Sequence, residues 1–132
     1  MNVKFLHDNP AALQQCRQQL EQLGISVRAY SSAVTGIFAL AFEGPSVAAV
    51  VSHCPMPGMR GEELLRLCNH VAPGVPVILV ADDHRMDLAS QGDLSAAFAV
   101  IRGALTAESL APLLMQVMTL RPRQHPDFLY VV

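Results

Sequence analysis

The sequence predicts an α/β fold, a doubly wound parallel sheet of five strands with helices on both faces. Short apolar runs alternate along the chain with segments of helical periodicity, and short loops join them. The run "VPVILVA" is apolar throughout, which is typical of a strand buried on both faces. With 132 residues, of which 52% are hydrophobic and 15% charged, the chain can form one such core.

The first half of the chain contains two predicted pairs of strand and helix. A strand over residues 3–6 leads to Asn9 and Pro10, which suit a helix start because asparagine can cap it and proline needs no amide hydrogen there. Gly24 ends this helix, and residues 25–30 form the second strand. Apolar stripes at helical spacing mark the two helices: Leu13, Cys16, Leu20 and Leu23 in the first, and Val34, Ile37, Phe38, Ala41 and Phe42 in the second.

The second half continues the alternation. One helix begins at Gly61, and Thr106 caps the last helix. Residues 82–95 are a weak helix candidate, because Gly92 interrupts them and few apolar residues anchor them. The predicted strands are 47–54, 75–81 and 96–102. The inward positions are Leu64, Leu65, Cys68 and Val71 in the earlier helix, and Leu110, Leu113, Leu114, Val117 and Met118 in the last.

Polar side chains follow the predicted strands at one edge of the sheet. In a doubly wound sheet the functional crevice lies beyond the carboxyl ends of the strands. The third strand ends in His53 and Cys54, an unusual pair for a buried strand. The residues expected at this edge are His7, Asp8, His53, Cys54, Ala81 to His84, Arg102 and Gly103.

Charge and hydropathy exclude several classes of function. The formal net charge of −2 and the dispersed basic residues do not favour nucleic-acid binding by this domain. No apolar run approaches the ~20 residues of a membrane span, and no signal peptide is evident, so we expect a cytoplasmic protein without membrane contact. Cys16, Cys54 and Cys68 are odd in number and widely spaced, which indicates neither a disulfide framework nor a metal knuckle.

The stretch "VVSHCPMPGMRGEELLRLCNHVAPGVPVILVAD" resembles the central third of a bacterial response-regulator receiver domain. The resemblance extends over about residues 2–120, with "HDNP" after the first strand and "GALTAESL" before the last helix in support. It implies the flavodoxin-like receiver fold, with residues 1–121 as the domain and residues 122–132 as a tail or linker.

The resemblance also implies a phosphorylation pocket, and this chain departs from it. Receivers transfer a phosphoryl group from a histidine kinase to their own aspartate, whose position holds His53 here. The acidic pair after the first strand falls on His7 and Asp8, so one acid remains. The hydroxyl residue falls on Ala81, and the lysine falls on Gly103 with Arg102 adjacent.

Such a pocket lacks the chemistry of phosphoryl transfer. Mg²⁺ binds through several oxygen ligands, and the transferred group needs cations around its oxygens. With one carboxylate, we expect weak or absent Mg²⁺ binding, no aspartyl phosphorylation and no enzyme activity. The leading hypothesis is a pseudo-receiver that acts as a protein-interaction or dimerisation module in signal transduction.

Two alternatives stay open. His7, Asp8 and His53 form a set of ligands for a transition metal, with Cys54 or His84 as a further candidate, so the crevice is also a hypothetical metal or small-ligand sensor. Against this, two histidines can replace two carboxylates simply by filling space. The third hypothesis is a regulated phosphotransfer domain of the ordinary type.

The resemblance further implies where a partner binds. Receivers use the fourth helix, the fifth strand and the fifth helix, and a threonine with an aromatic residue links that face to the pocket. Here Ala81 replaces the hydroxyl residue and Val100 stands near the position of the aromatic one. The partner is expected to be another protein or a second copy of the chain. The residues predicted for the face are Phe98, Val100, Leu110 and Leu114.

Overall fold

A computed structural model of the chain describes residues 2–3, 5–6, 10–81, 87–103 and 106–120. The helices in these residues are α1 (Pro10–Gln22), α2 (Ala33–Glu43), α3 (Gly61–Val71) and α4 (Ala107–Leu120). The strands are β1 (Asn2–Val3), β2 (Phe5–Leu6), β3 (Ser26–Val27), β4 (Val50–His53), β5 (Val77–Ala81) and β6 (Ala99–Arg102). Two short 3₁₀ helices lie at Gly44–Ser46 and Leu88–Gln91.

All pairings between these strands are parallel. β1 pairs with β3, and a four-stranded sheet has the order β2, β4, β5, β6. Because β1 and β2 lie on either side of Lys4, they together occupy the place of the single first strand that the sequence predicts. The strands described are shorter than predicted, but the parallel α/β fold class is confirmed.

Helices cover the sheet on both faces and form two separate cores. α1 and α4 contribute Cys16, Leu20, Leu110, Leu114 and Val117 to one core, and the other contains Ile37, Leu40, Leu64, Leu65 and Cys68 from α2 and α3. Successive residues of β5 enter opposite cores, as strand geometry requires, with Ile78 in the first and Leu79 in the second. All five residues of β5 are buried, which confirms the predicted central strand.

The predicted helix α2 forms, but most of the apolar residues by which the sequence marks it do not pack against the core. Ile37 is buried, but Val34, Phe38 and Phe42 are 66%, 73% and 89% exposed. The inner face of α2 is instead formed by Ala33, Gly36, Ile37 and Leu40. α2 has apolar residues on nearly every side, so periodicity alone does not select the face that packs beside α3.

The structure corrects the prediction that Leu23 belongs to the first helix, and it shows less helix than predicted in the described part of residues 82–95. Leu23 is 62% exposed because α1 ends at Gln22 and Leu23 lies in the turn that Gly24 closes with a φ of 82°. In the weak helix candidate, the described residues form only the 3₁₀ helix Leu88–Gln91, whose start is capped by the Asp87 carboxylate accepting from the Ala89 amide at 3.0 Å.

Some predictions lie outside the described residues. These are the structure of residues 82–86 and the tail from residue 121 onward, so the boundary between residues 121 and 122 stays a prediction. Within the described ranges, none of the helices combines the length and the apolar character that crossing a membrane requires.

We predict that Leu64→Ala lowers the free energy of unfolding by about 2–5 kcal/mol, because Leu64 is 1% exposed and its truncation leaves a cavity between α3 and the sheet. Leu67→Ala, on the same helix at 39% exposure, is the matched control and should cost about 1 kcal/mol or less. Urea denaturation of both variants measures the difference, and equal losses would contradict the described packing of α3.

Candidate functional site

The ends of three strands bring the predicted pocket residues to one edge of the sheet. β4 ends at His53, β5 at Ala81 and β6 at Arg102. The parallel register places His53 beside Val80 and Ala81 beside Arg102. The Gly103 amide donates to the carbonyl oxygen of Ala81 at 3.0 Å, which continues the pairing past the end of β6.

The remaining predicted pocket residues come after β2. Leu6 pairs with Ser52, one residue before His53, so the chain leaves β2 beside the end of β4. His7 and Asp8 follow directly, and like Asp82, Asp83 and His84 they lie outside the described residues. In the part of the chain that the structure describes, no cluster of three His, Cys, Asp or Glu side chains is placed to hold a metal ion. The metal hypothesis therefore stays a prediction.

The pocket positions on β5 and β6 offer little chemistry. Ala81 is 2% exposed and carries only a methyl group where the resemblance implies a hydroxyl. Gly103 has a φ of 127° and no side chain, so it supplies no ammonium group. Among the described pocket positions, Arg102 carries the positive charge, and its side chain is exposed at the end of β6.

Cys54 and His53 belong to opposite sides of the sheet. Cys54 is 1% exposed and packs in the core beneath α2 and α3, where its thiol lies 3.5 Å from Oε1 of Gln91. His53 is half-buried and shares the strand parity of Val51, which belongs to the opposite core. Cys54 is therefore not placed to join His53 as a ligand.

The three cysteines are packed thiols. Burial raises the pKa of Cys16 and of Cys68 to about 12. Burial also raises the pKa of Cys54, and a hydrogen bond from the Gly61 backbone partly opposes that effect. All three thiols are thus protonated near neutral pH and pack as ordinary core side chains.

The loop after His53 is a tight turn. The Met59 amide donates to the Met56 carbonyl oxygen at 2.9 Å, and Gly58 adopts a φ of 76° that favours glycine. Met56 is 3% exposed and fixes the turn to the core, while a cis peptide bond joins Cys54 to Pro55. The turn therefore brings the chain from His53 to the start of α3 by a compact path.

A buried glutamine that sequence reasoning missed connects this edge to the segment after β5. Gln91 is 6% exposed, and its Oε1 accepts from the Gly61 amide at 3.0 Å and from the Cys54 thiol at 3.5 Å. A Cβ on Gly61 would lie 2.8 Å from the Leu94 side chain and 2.9 Å from the Cys54 sulfur, so any larger residue at the start of α3 would require these two side chains to shift. No local pattern marks Gln91, because its partners are 30 and 37 residues away.

The predicted interaction face is only partly exposed. Leu110 and Leu114 are both 0% exposed and form part of the core under α4, so they cannot meet a partner. Their spacing of four residues is that of the stripe that packs α4 onto the sheet. Phe98 is half-buried against the same core, and Val100 is 36% exposed. Of the four residues predicted for this face, Val100 is therefore the one that the structure exposes.

We predict that Gln91→Met lowers the free energy of unfolding by about 1–3 kcal/mol, because methionine keeps the length of the side chain but leaves the buried Gly61 amide without an acceptor. The exchange of the Gly61 amide with solvent should also become faster. Thr119→Ala, which removes an exposed hydroxyl on α4 bonded to the Met115 carbonyl oxygen, is the control and should cost about 0.5 kcal/mol or less. Unchanged exchange at Gly61 in the Gln91 variant would contradict this contact.

Comparison with solved structures identifies the architecture. A receiver domain protein from Clostridium thermocellum superposes with a TM-score of 0.79 at 23% identity, covering 92% of this chain and 96% of its own. The CheY-like protein from Methanospirillum hungatei gives 0.74 at 20% identity, with coverage of 92% and 96%. The receiver domain of the sensor histidine kinase PA1611 from Pseudomonas aeruginosa, solved with magnesium in its active-site cleft, gives 0.71 at 16% identity and covers 89% and 97%.

Comparisons of sequence find no match for this chain, either among protein-family models or among curated proteins. The likeness is thus one of three-dimensional structure, spread over nearly the whole length of each domain. The chain has the fold of a response-regulator receiver domain.

Proposed function

We propose that this chain is a pseudo-receiver, a protein-interaction module of bacterial signal transduction that works without phosphorylation. The observation that carries the proposal is the position of His53 at the end of β4, where the receiver resemblance implies the phosphoryl-accepting aspartate. The receiver fold itself supports a role in signalling, and the residues at its functional edge support the loss of the phosphoryl chemistry.

The chemical argument concerns charge. An aspartyl phosphate forms when a carboxylate oxygen attacks phosphorus, and His53 has no such oxygen. Mg²⁺ needs near-octahedral oxygen ligands, and of the acidic side chains implied for this pocket the sequence keeps Asp8 alone. Without a second carboxylate, the metal that would offset the charge of the phosphoryl oxygens is bound weakly or not at all.

The link from pocket to surface is also altered. A receiver that responds to phosphorylation needs a hydroxyl group at the position of Ala81 to contact the phosphoryl oxygens. The methyl group of Ala81, at the end of β5, cannot make this contact. The segment after β5 is held instead by Gln91, whose amide oxygen accepts from the Gly61 amide. The partners of this anchor do not include His53, Ala81, Arg102 or Gly103, which favours a surface that is presented constitutively.

We predict that Mg²⁺ with beryllium fluoride, a mimic of the phosphoryl group, leaves the amide chemical shifts of Ala81 and Gly103 unchanged. The physical reason is the shortage of carboxylate ligands for the metal and of donors for the fluoride. Two-dimensional NMR of the ¹⁵N-labelled chain measures the response, and a receiver that keeps the full acidic pocket serves as the positive control.

A direct assay complements this measurement. After exposure to a small phosphodonor such as acetyl phosphate, intact mass spectrometry should find no added phosphoryl group on the chain. A stable adduct, or shifts at Ala81 and Gly103 like those of the positive control, would overturn the proposal of phosphorylation independence.

A second candidate function is a metal or small-ligand sensor in the same crevice. The pairing of Leu6 with Ser52 is the observation that favours it, because the end of β2 lies beside the end of β4, where His53 stands, and the sequence continues from Leu6 with His7 and Asp8. Two imidazoles and one carboxylate are a suitable donor set for Zn²⁺ and similar ions. Such a site would make the module respond to metal rather than to phosphoryl transfer.

Calorimetric titration with Zn²⁺ tests this second function. If the crevice is a metal site, the wild-type chain binds one equivalent and His53→Ala weakens binding by about tenfold or more. His70→Ala, which removes an exposed histidine on α3, is the control and should bind as the wild type does. Absence of binding heat, or equal affinity in the His53 and His70 variants, would contradict a sensor at this edge.

A further inference from the structure

The outer face of α2 carries an unusual concentration of exposed apolar side chains. Of the seven large apolar side chains that the described residues expose, Val34, Phe38 and Phe42 lie on this one helix, and the other four lie on four different segments. Their spacing of four residues places them in a line about 12 Å long. We name these three residues the α2 stripe.

The surroundings of the α2 stripe are also apolar. Together with Tyr30 and Ala39 it borders an open groove of about 500 Å³. The charged residue in the lining of this groove is Glu43, which forms an ion pair with Arg28 at 3.3 Å. Contiguous apolar patches on a soluble domain mark sites of interaction, whereas scattered apolar residues do not.

We propose that the α2 stripe binds the same stripe on a second copy of this chain, with the two α2 helices antiparallel about a two-fold axis at Phe38. This inference rests on the proposed role as an interaction module and names its surface and its partner. A two-fold interface requires that the surface complement itself. In this arrangement Phe38 meets its own copy, and Val34 of each chain meets Phe42 of the other.

The sizes along the stripe fit that pairing. The small side chain at position 34 lies opposite the large one at position 42 at both ends of the pairing, so the two helices keep the same separation at each end instead of splaying. Two phenylalanine rings at position 38 can pack offset or edge to face, the arrangements that aromatic pairs prefer. Ala41, also exposed on this face, leaves room for the helices to approach.

Charge also favours an identical partner. The exposed face of α2 has no charged residue before Glu43, so two copies meet without repulsion and a strongly charged partner would gain nothing.

The size of the patch sets the strength of the association. Two exposed phenylalanines and one valine offer on the order of 400 Å² per copy, hence about 800 Å² in total. Stable specific interfaces bury about 1,200–2,000 Å². We therefore expect a weak dimer in rapid exchange, with a dissociation constant of roughly 10–100 μM.

Sedimentation velocity over about 5–500 μM tests the proposal, a range chosen to bracket the expected dissociation constant. The wild-type chain should shift from one to two copies as the concentration rises. Phe38→Glu places two carboxylates at the axis and should weaken association by about tenfold or more. Met115→Glu, at a residue that is 60% exposed on α4, is the matched control and should associate as the wild type does.

A charge-swap experiment tests the register. Phe38→Lys alone should weaken association in the same way, but an equimolar mixture of the Phe38→Glu and Phe38→Lys variants should recover a dimer of one copy each, because position 38 faces itself. Circular dichroism melts confirm that the variants fold, as expected for substitutions at a residue that is 73% exposed.

Three outcomes would overturn the inference. They are a wild-type chain that stays monomeric throughout the range, a dimer that Phe38→Glu leaves intact, and a mixture that does not associate. A wild-type chain that stays monomeric and binds a different protein through α2 would also overturn the inference. The phosphoryl-mimic measurement is independent, so a response to beryllium fluoride would end the pseudo-receiver proposal without affecting the dimer.

Discussion

Burial of β4 and β5 on both faces is the constraint from which the rest of this structure follows. The side chains of β5 from Val77 to Val80 alternate between two cores, and the neighbouring strands β4 and β6 run parallel to β5 with helices on both faces of the sheet. All strands then end at the same edge. His53, Ala81 and Arg102 are the last residues of β4, β5 and β6, so the parallel sheet alone is enough to bring them to this edge. The fold can therefore persist when the chemistry of its edge changes.

Sequence reasoning succeeded where one physical signal dominates. The continuous apolar run of β5 allows only a buried strand, and α3 has a clear polar face, so Leu64, Leu65 and Cys68 were placed in the core. The position of His53 followed from the end of a strand. Periodicity failed in α2, where apolar residues lie on nearly all sides and the choice between Val34 and Leu40 as inward residues depends on packing beside α3.

Contacts between distant parts of the chain were beyond sequence reasoning. The hydrogen bond from the Gly61 amide to Gln91 joins residues 30 apart, and neither local spacing nor composition indicates it. The interaction face drawn by resemblance failed for a different reason. Leu110 and Leu114 have the four-residue spacing of a packed stripe, and this local pattern correctly predicts that they are buried. The resemblance instead predicts that they contact a partner, and the structure follows the local pattern.

The anchoring of α3 determines how firmly the exposed surface of α2 is held for a partner. α2 packs beside α3, both helices share one core, and the first turn of α3 is fixed through Gly61 to Gln91 and through the close approach of Cys54. The segment that contains Gln91 thereby holds the helix against which α2 packs, so movement of this segment would break a buried hydrogen bond and disturb the shared core. The α2 stripe is therefore carried by a helix whose neighbour is fixed at its first turn.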